Sequence, residues 1–324
     1  SVVLMSRPLR LLSLLSLALL LTGLASCGGG GGGSTVSAGG SVPVLHLLHP
    51  DTPIVLGADM DGLRRSPYYP TARDLTSTLS DSERRDFDTL FQLLDRADHF
   101  VVGFDPFGEG ADDTLIALRG AFEPSHLDVF TEFTEREAFR NHELRGRGSE
   151  WAVVPSADTL LFGQLEQVHD GVDRLEGVFS GSGPTRPGFA EAAALAHLGE
   201  RDVTAVWIFT DEMRANMGEG HVEHVLRENG VSAGMSLHLR DGLEFEGFVT
   251  TNDAAAVPVL AHALREALAE LPGEPMVVAL GLGAVLEQVQ IAEEGTTLRV
   301  TLRASDDQVR TLLTNLQQLQ GSAN

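Results

Sequence analysis

The chain offers few groups able to do chemistry, and most of them sit in short clusters. Glu219-Gly220-His221-Val222-Glu223-His224 brings two imidazoles and two carboxylates together. The two imidazoles are three residues apart and the two carboxylates four, so on a helix some of them share a face, which zinc or iron could use. The order is not His-Glu-x-x-His, and Gly218 and Gly220 loosen the helix start. A solvated polar helix face is therefore expected, without a transition metal or any other cofactor. His46 and His49, on either side of Leu47-Leu48, make a poorer pair of ligands. The run from Asp105 to Asp113 gathers Asp105, Glu109, Asp112 and Asp113, oxygen ligands of the kind calcium takes. Phe107 and Ile116 stand where an EF-hand needs ligands, so the expectation is an acidic hairpin loop.

Other clusters fail as catalytic motifs. Gly281-Leu282-Gly283 follows an apolar run like a dinucleotide fingerprint, but Leu286 replaces the third glycine; close packing of an element is the expected use. Ser180 and Ser182 lie among glycines without the Gly-x-Ser-x-Gly elbow. Asp59 and Asp211 each end an apolar run ahead of a helix, where a carboxylate caps backbone N–H groups, so neither is expected to be catalytic. Carboxylate pairs for hydrolysis, with or without an assisting metal, remain the one catalytic alternative, because 46 acidic residues allow many pairings.

Charge and residue usage remove whole classes of function. The 324 residues carry 23 basic and 46 acidic side chains, a formal charge of −23. All the basic ones are arginine. Without lysine there is no phosphate-loop lysine, Schiff base or serine–lysine dyad. The single cysteine forbids an internal disulfide or a Cys-pair metal site. Such acidity also argues against nucleic acid as a partner, since that affinity needs clustered positive charge.

The most informative stretch is the first 27 residues. Arg7 and Arg10 precede an apolar run from Leu11 to Leu24, followed by Ala25, Ser26 and Cys27. A charged region, an apolar region and a small-residue cleavage site form the layout of a secretory signal. The run is shorter than the roughly 20 apolar residues needed to cross a bilayer. Leu24-Ala25-Ser26-Cys27 resembles the lipobox of bacterial lipoproteins, in which the signal is cut before the cysteine and the cysteine is acylated. That resemblance implies residues 1–26 as signal peptide, lipidation at Cys27 and a membrane as partner through the lipid; several acyl chains on one residue anchor stably where one would not. Gly28 in place of aspartate implies the outer membrane. Met5, just before Ser6-Arg7-Pro8, is expected to be the initiator. Residues 27–42, with six glycines from Gly28 to Gly33, read as a lipidated cysteine and a flexible tether.

From about residue 43 the chain turns globular, and its periodicities give hairpins, each followed by a helix. Met235, Leu237 and Leu239 alternate with polar residues, Asp241-Gly242 turns the chain, and Leu243, Phe245 and Val249 return. A helix follows over about 253–271. A second hairpin turns at Glu294-Gly295, and a final helix opens at Ser305 with a capping box to Gln308. Earlier, Phe100 to Phe104 and Leu115 to Phe122 pair across the acidic loop, a helix opens at Pro124 and carries Leu127, Phe130 and Phe133, and Trp151–Val154 pairs with Thr159–Phe162 ahead of a helix over 164–175. The expected fold class is α+β: a mostly antiparallel sheet of hairpins, helices on one face, in two similar halves, 43–183 and 184–324. The overall layout is similar to exported proteins with repeated hairpin–helix units. The expected role is a lipid-anchored, cell-envelope protein that binds or scaffolds an envelope partner or ligand, without catalysis.

Overall fold

A computed structural model describes residues 44–75, 91–107, 113–179, 181 and 183–322. The fold is α+β and antiparallel. One sheet holds twelve strands in the order β11-β12-β10-β9-β8-β1-β2-β3-β7-β6-β5-β4. The first half supplies β1 (Ile54–Asp59), β2 (Ala97–Asp105), β3 (Asp113–Gly120), β4 (Glu135–Phe139), β5 (His142–Arg147), β6 (Glu150–Ser156) and β7 (Thr159–Gln164). The second supplies β8 (Val203–Ile208), β9 (Gly230–His238), β10 (Gly242–Thr251), β11 (Gln290–Glu294) and β12 (Thr297–Ser305). β1 pairs with β8 at the centre, Val55 opposite Val206, and each half runs outward from that pair.

Helices fill the connections. α1 (Met60–Arg65) and α2 (Tyr69–Leu75) follow β1, and α3 (Leu165–Leu175) follows β7. α4 (Phe189–Leu195) joins the halves, and α5 (Asp211–Ala215) and α6 (His221–Asn229) follow β8. α7 (Ala256–Glu270), α8 (Pro275–Leu280) and α9 (Gly283–Leu286) lie between β10 and β11, and α10 (Asp306–Ser322) follows β12. The capping box of α10 forms: Ser305 N–H donates to Gln308 Oε1 at 2.8 Å and Gln308 N–H to Ser305 Oγ at 3.3 Å.

Alternate residues of the central strands feed opposite cores, as the pleat requires. On one face, Val55, Val101, Leu115, Leu161 and Val206 pack beneath α3, α4 and the short 3-10 helix Leu45–Leu47. On the other, Leu56, Phe100, Val102, Ile116 and Phe162 pack beneath Met60 of α1 and Leu127 of a 3-10 helix, Pro124–Val129. This second face continues across the second half, where Leu243 and Leu302 meet Leu312, Leu313 and Leu316 of α10, and Leu298 meets Val257 and Leu260 of α7. The helices thus take both faces, not the one expected. In the second half α7 and α10 lie on the face of Leu56 and Leu243, whereas α3 covers the opposite face of the first half and α4 that of β8 and β9, because the central strands are apolar on both sides, as Val55 and Leu56 show in β1 and Ala205 and Val206 in β8.

Three local expectations change. The helix at Pro124 ends at Val129, leaving Phe130 and Phe133 to stack with Phe162 at 5.4 and 6.1 Å between centroids. The charge-rich hairpin β4–β5, absent from the periodicity reading, follows and forms the edge of the sheet. Gly281 does more than pack closely: it ends α8 at φ +71, a left-handed conformation that glycine adopts without strain, and an added Cβ would lie 3.3 Å from Asn315 Nδ2 of α10. A Cβ at Gly283 would meet nothing within 4 Å.

Candidate functional site

A cleft of about 550 Å³ opens where β2 and β3 end. Its lining comes from four separate segments: His49, Asp51 and Thr52 ahead of β1, Asp105 and Asp113 from the hairpin, Glu166, Gln167, His169 and Asp170 of α3, and Arg186 ahead of α4. The hairpin places Asp105 directly opposite Asp113, the last pair of its register, and like charges so placed repel. Asp105 Oδ1 accepts the Phe107 N–H at 3.0 Å, turning the chain into the loop. Glu166 sits in the first turn of α3, where the helix dipole favours a carboxylate.

The electrostatics single out Asp113. Burial pushes its carboxyl above the usual carboxylate range, and the charges of Asp105 and Glu166 push the same way, against a hydrogen bond from Gln167 and the charge of His49. The other walls are pinned. Thr185 N–H donates to the Pro50 carbonyl at 2.8 Å, and Arg186 Nε donates to the Asp51 carbonyl, which fixes the segment before α4 against the one before β1. His169 stacks on Phe139, 3.8 Å between centroids and 13° between planes, with its Nε2 3.0 Å from Glu137 Oε1. This arrangement can hold a cationic or hydrogen-bond-donating group.

Of the calcium candidates, Asp105 and Asp113 line the cleft; Glu109 and Asp112 lie outside the described residues, as do Cys27, Ser180 and Ser182. The transition-metal candidates are elsewhere. His221, Glu223 and His224 are exposed on α6, and His224 Nε2 lies 3.5 Å from Glu228 Oε1, one turn on. Among the described residues no group of three or more His, Cys, Asp or Glu side chains is arranged to hold a metal ion. Asp59 caps α1 through Gly62 N–H at 2.9 Å. Asp211 does not cap α5: Thr210 Oγ1 accepts from Met213 N–H at 3.1 Å, while the Asp211 side chain is 96% exposed. Two adjacent residues were both good caps, and the threonine, one place earlier, reaches the N–H.

No protein-family model and no curated protein matches the chain. Its fold is similar to that of TP0453. Crystal form III of that protein superposes with a TM-score of 0.52 at 10% identity, covering 85% of this chain and 98% of that one. Crystal forms I and IV give TM-scores of 0.46 and 0.47, also at 10% identity. At that identity the likeness is one of fold. Among the described residues no helix is long and apolar enough to cross a membrane.

Proposed function

We propose that the chain is a lipid-anchored protein of the bacterial cell envelope, held by acylated Cys27 and acting by binding. The observation that carries this reading is Leu24-Ala25-Ser26-Cys27, behind a charged and then apolar segment and ahead of six glycines. The globule supports it by where its chain enters. Val44, Leu47 and Leu48 are buried in the core beneath α3, and His49, Asp51 and Thr52 go straight on to line the acidic cleft. A tether joined there presents the cleft at the root of the anchor, and the ligand class that fits its carboxylates is cationic. Metabolic fatty-acid labelling tests the anchor: the wild type is expected to take label and Cys27→Ala to take none. Cleaved, soluble, unlabelled wild type would overturn it. Membrane fractionation is expected to place the labelled protein in the outer membrane, as Gly28 implies.

One observation favours the hydrolase alternative. Asp113 with its raised carboxyl faces Asp105 across the hairpin end, and an acid–base pair needs two carboxyls of unequal affinity for protons. Hydrolysis by the wild type that both Asp113→Asn and Asp105→Asn abolish would put that reading first. Residues 43–183 and 184–324 we read as one duplicated unit, on the strength of the strand order that each runs outward from the β1–β8 pair.

A further inference from the structure

A second cavity, about 660 Å³, lies on the first half between residues 91–96 and the 3-10 helix Pro124–Val129. Its walls hold two carboxylates, Asp95 and Asp128, and both are already matched. Asp95 lies 3.0 Å from the Arg73 guanidinium and accepts from the Tyr69 hydroxyl, and Asp128 is paired with Arg145. Arg96 differs: its guanidinium, on the same cavity wall, has no ion-pair or hydrogen-bond partner among the described residues. Arg65 and Arg240 also lack such a partner among the described residues, but of the three only Arg96 lines one of the two cavities described.

Two more donors stand beside it. His126 Nδ1 accepts the Glu123 N–H at 3.0 Å, so that nitrogen carries no proton. The ring proton is therefore on Nε2, which makes His126 a fixed donor on that side. The ring is also held edge-on to Phe122, with centroids 6.4 Å apart. Ser125 adds a hydroxyl, and Leu93 and Val129 give the cavity an apolar wall. Pockets of a few hundred cubic ångströms with an apolar wall and a few convergent polar groups are the usual form of small-molecule sites.

We propose that this cavity binds a small organic carboxylate. Arg96 pairs with the carboxylate, His126 and Ser125 donate to it, and Leu93 and Val129 take a short apolar body. A monoanion is favoured over a phosphate because Asp95 and Asp128, though matched, stand close by and penalise a second negative charge.

Calorimetric titration of the mature chain with hexanoate, hexanol and inorganic phosphate tests this. Hexanoate is expected to bind saturably and hexanol much more weakly. Arg96→Gln should weaken hexanoate by about tenfold or more, the scale of one lost charge-assisted pair, and Ser125→Ala by less. Arg65→Gln, an exposed arginine of α1 outside the cavity, should leave binding unchanged. No saturable hexanoate binding, equal binding of hexanol, or indifference to Arg96→Gln would overturn the proposal. Phosphate binding tighter than hexanoate would overturn the carboxylate assignment. Arg96, Ser125 and Arg65 are all exposed, so these variants leave the core intact.

Discussion

Outward from the β1–β8 pair the first half runs β1-β2-β3-β7-β6 and then adds β5 and β4, the second runs β8-β9-β10-β12-β11, and the two send their last helix to opposite faces. α3 packs on Leu161 and Leu115, while α10 packs on Leu302 and Leu243, on the other side of the sheet. The choice decides how many faces of each strand are dry. β3 is buried almost without interruption from Thr114 to Leu118, whereas in β12 Leu298, Leu302 and Ala304 are buried between more exposed neighbours. Antiparallel sheets tolerate water on one face, so the second half needs no cover over Glu244, Glu246, Arg299 and Arg303. Polar contacts occupy that face: Arg201 pairs with both glutamates and Arg303 with Glu244, and His197 Nε2 lies 3.4 Å from Glu246 Oε2.

The largest expected effect lies on the covered face of the first half. Leu161 is fully buried, and its side chain meets α3 at Gly171, where an added Cβ would come within 2.9 Å of it. Leu161→Ala should cost about 2–5 kcal/mol, the range for truncating a buried leucine. Urea unfolding followed by circular dichroism measures it. A loss below about 1 kcal/mol would mean that α3 is not the lid that distinguishes this half.

The next effect is at the join. Buried Tyr68, between α1 and α2, donates its hydroxyl to Asp306 Oδ1 at 2.7 Å, at the start of α10, tying the first half to the last helix. Burial and this bond push the Tyr68 phenol well above its ordinary range. A proton held more tightly in the folded state contributes stability that is full below the ordinary phenol value near 10 and fades as the pH climbs through the higher folded value. Tyr68→Phe should therefore lower the urea midpoint at pH 7, with the gap to wild type closing above about pH 10. A constant gap would place the effect in packing alone.

The hairpin ends also contrast. β9–β10 closes at Asp241-Gly242, while β2–β3 opens into the acidic cleft. Burial raises the Asp113 carboxyl, so the folded state holds that proton more tightly than the unfolded chain. Its contribution is full below about pH 4, the unfolded value, and is lost as the pH rises through the folded one. Asp113→Asn should thus be more stable than wild type at pH 7, by less than the two losses above, and the difference should vanish in acid. A variant less stable at pH 7 would show that the hydrogen bond from Gln167 outweighs the burial.

How much of this was legible in the sequence follows the same division. In the second half β9, β10 and β12 alternate apolar with polar residues, even where the polar ones, Ser232 and Ser236 of β9, are buried, so these strands, the Asp241-Gly242 and Glu294-Gly295 turns and the Ser305 cap could be read directly. In the first half, strands dry on both sides read as short apolar runs, which show that a strand exists but not which face its helix covers. The edge hairpin β4–β5 escaped because its charges, suited to an exposed edge, mask any alternation. The cleft was half legible: Asp105 and Asp113 sit in one acidic loop, but Glu166, Asp170 and Arg186 reach it from distant segments. No spacing links those residues, since the fold alone brings them together.

The smallest effect is expected on the open face of the second half. Arg303 Nε lies 3.3 Å from Glu244 Oε1 with its side chain 60% exposed, and Arg201 holds the same glutamate from the other side. An exposed pair of this kind gives up side-chain freedom for a contact in high dielectric, and Arg201 remains to keep Glu244 paired. Arg303→Gln should therefore change stability by no more than about 0.5 kcal/mol, and the change should shrink in 1 M salt, where the screening length falls to about 3 Å. The same substitution is the sharpest check on the comparison between the halves. A loss above about 1.5 kcal/mol, unmoved by salt, is what a desolvated charge produces. That result would mean the face is covered in solution, as α3 covers its counterpart, and equilibrium sedimentation of wild type beside the variant would show whether a second copy supplies the cover.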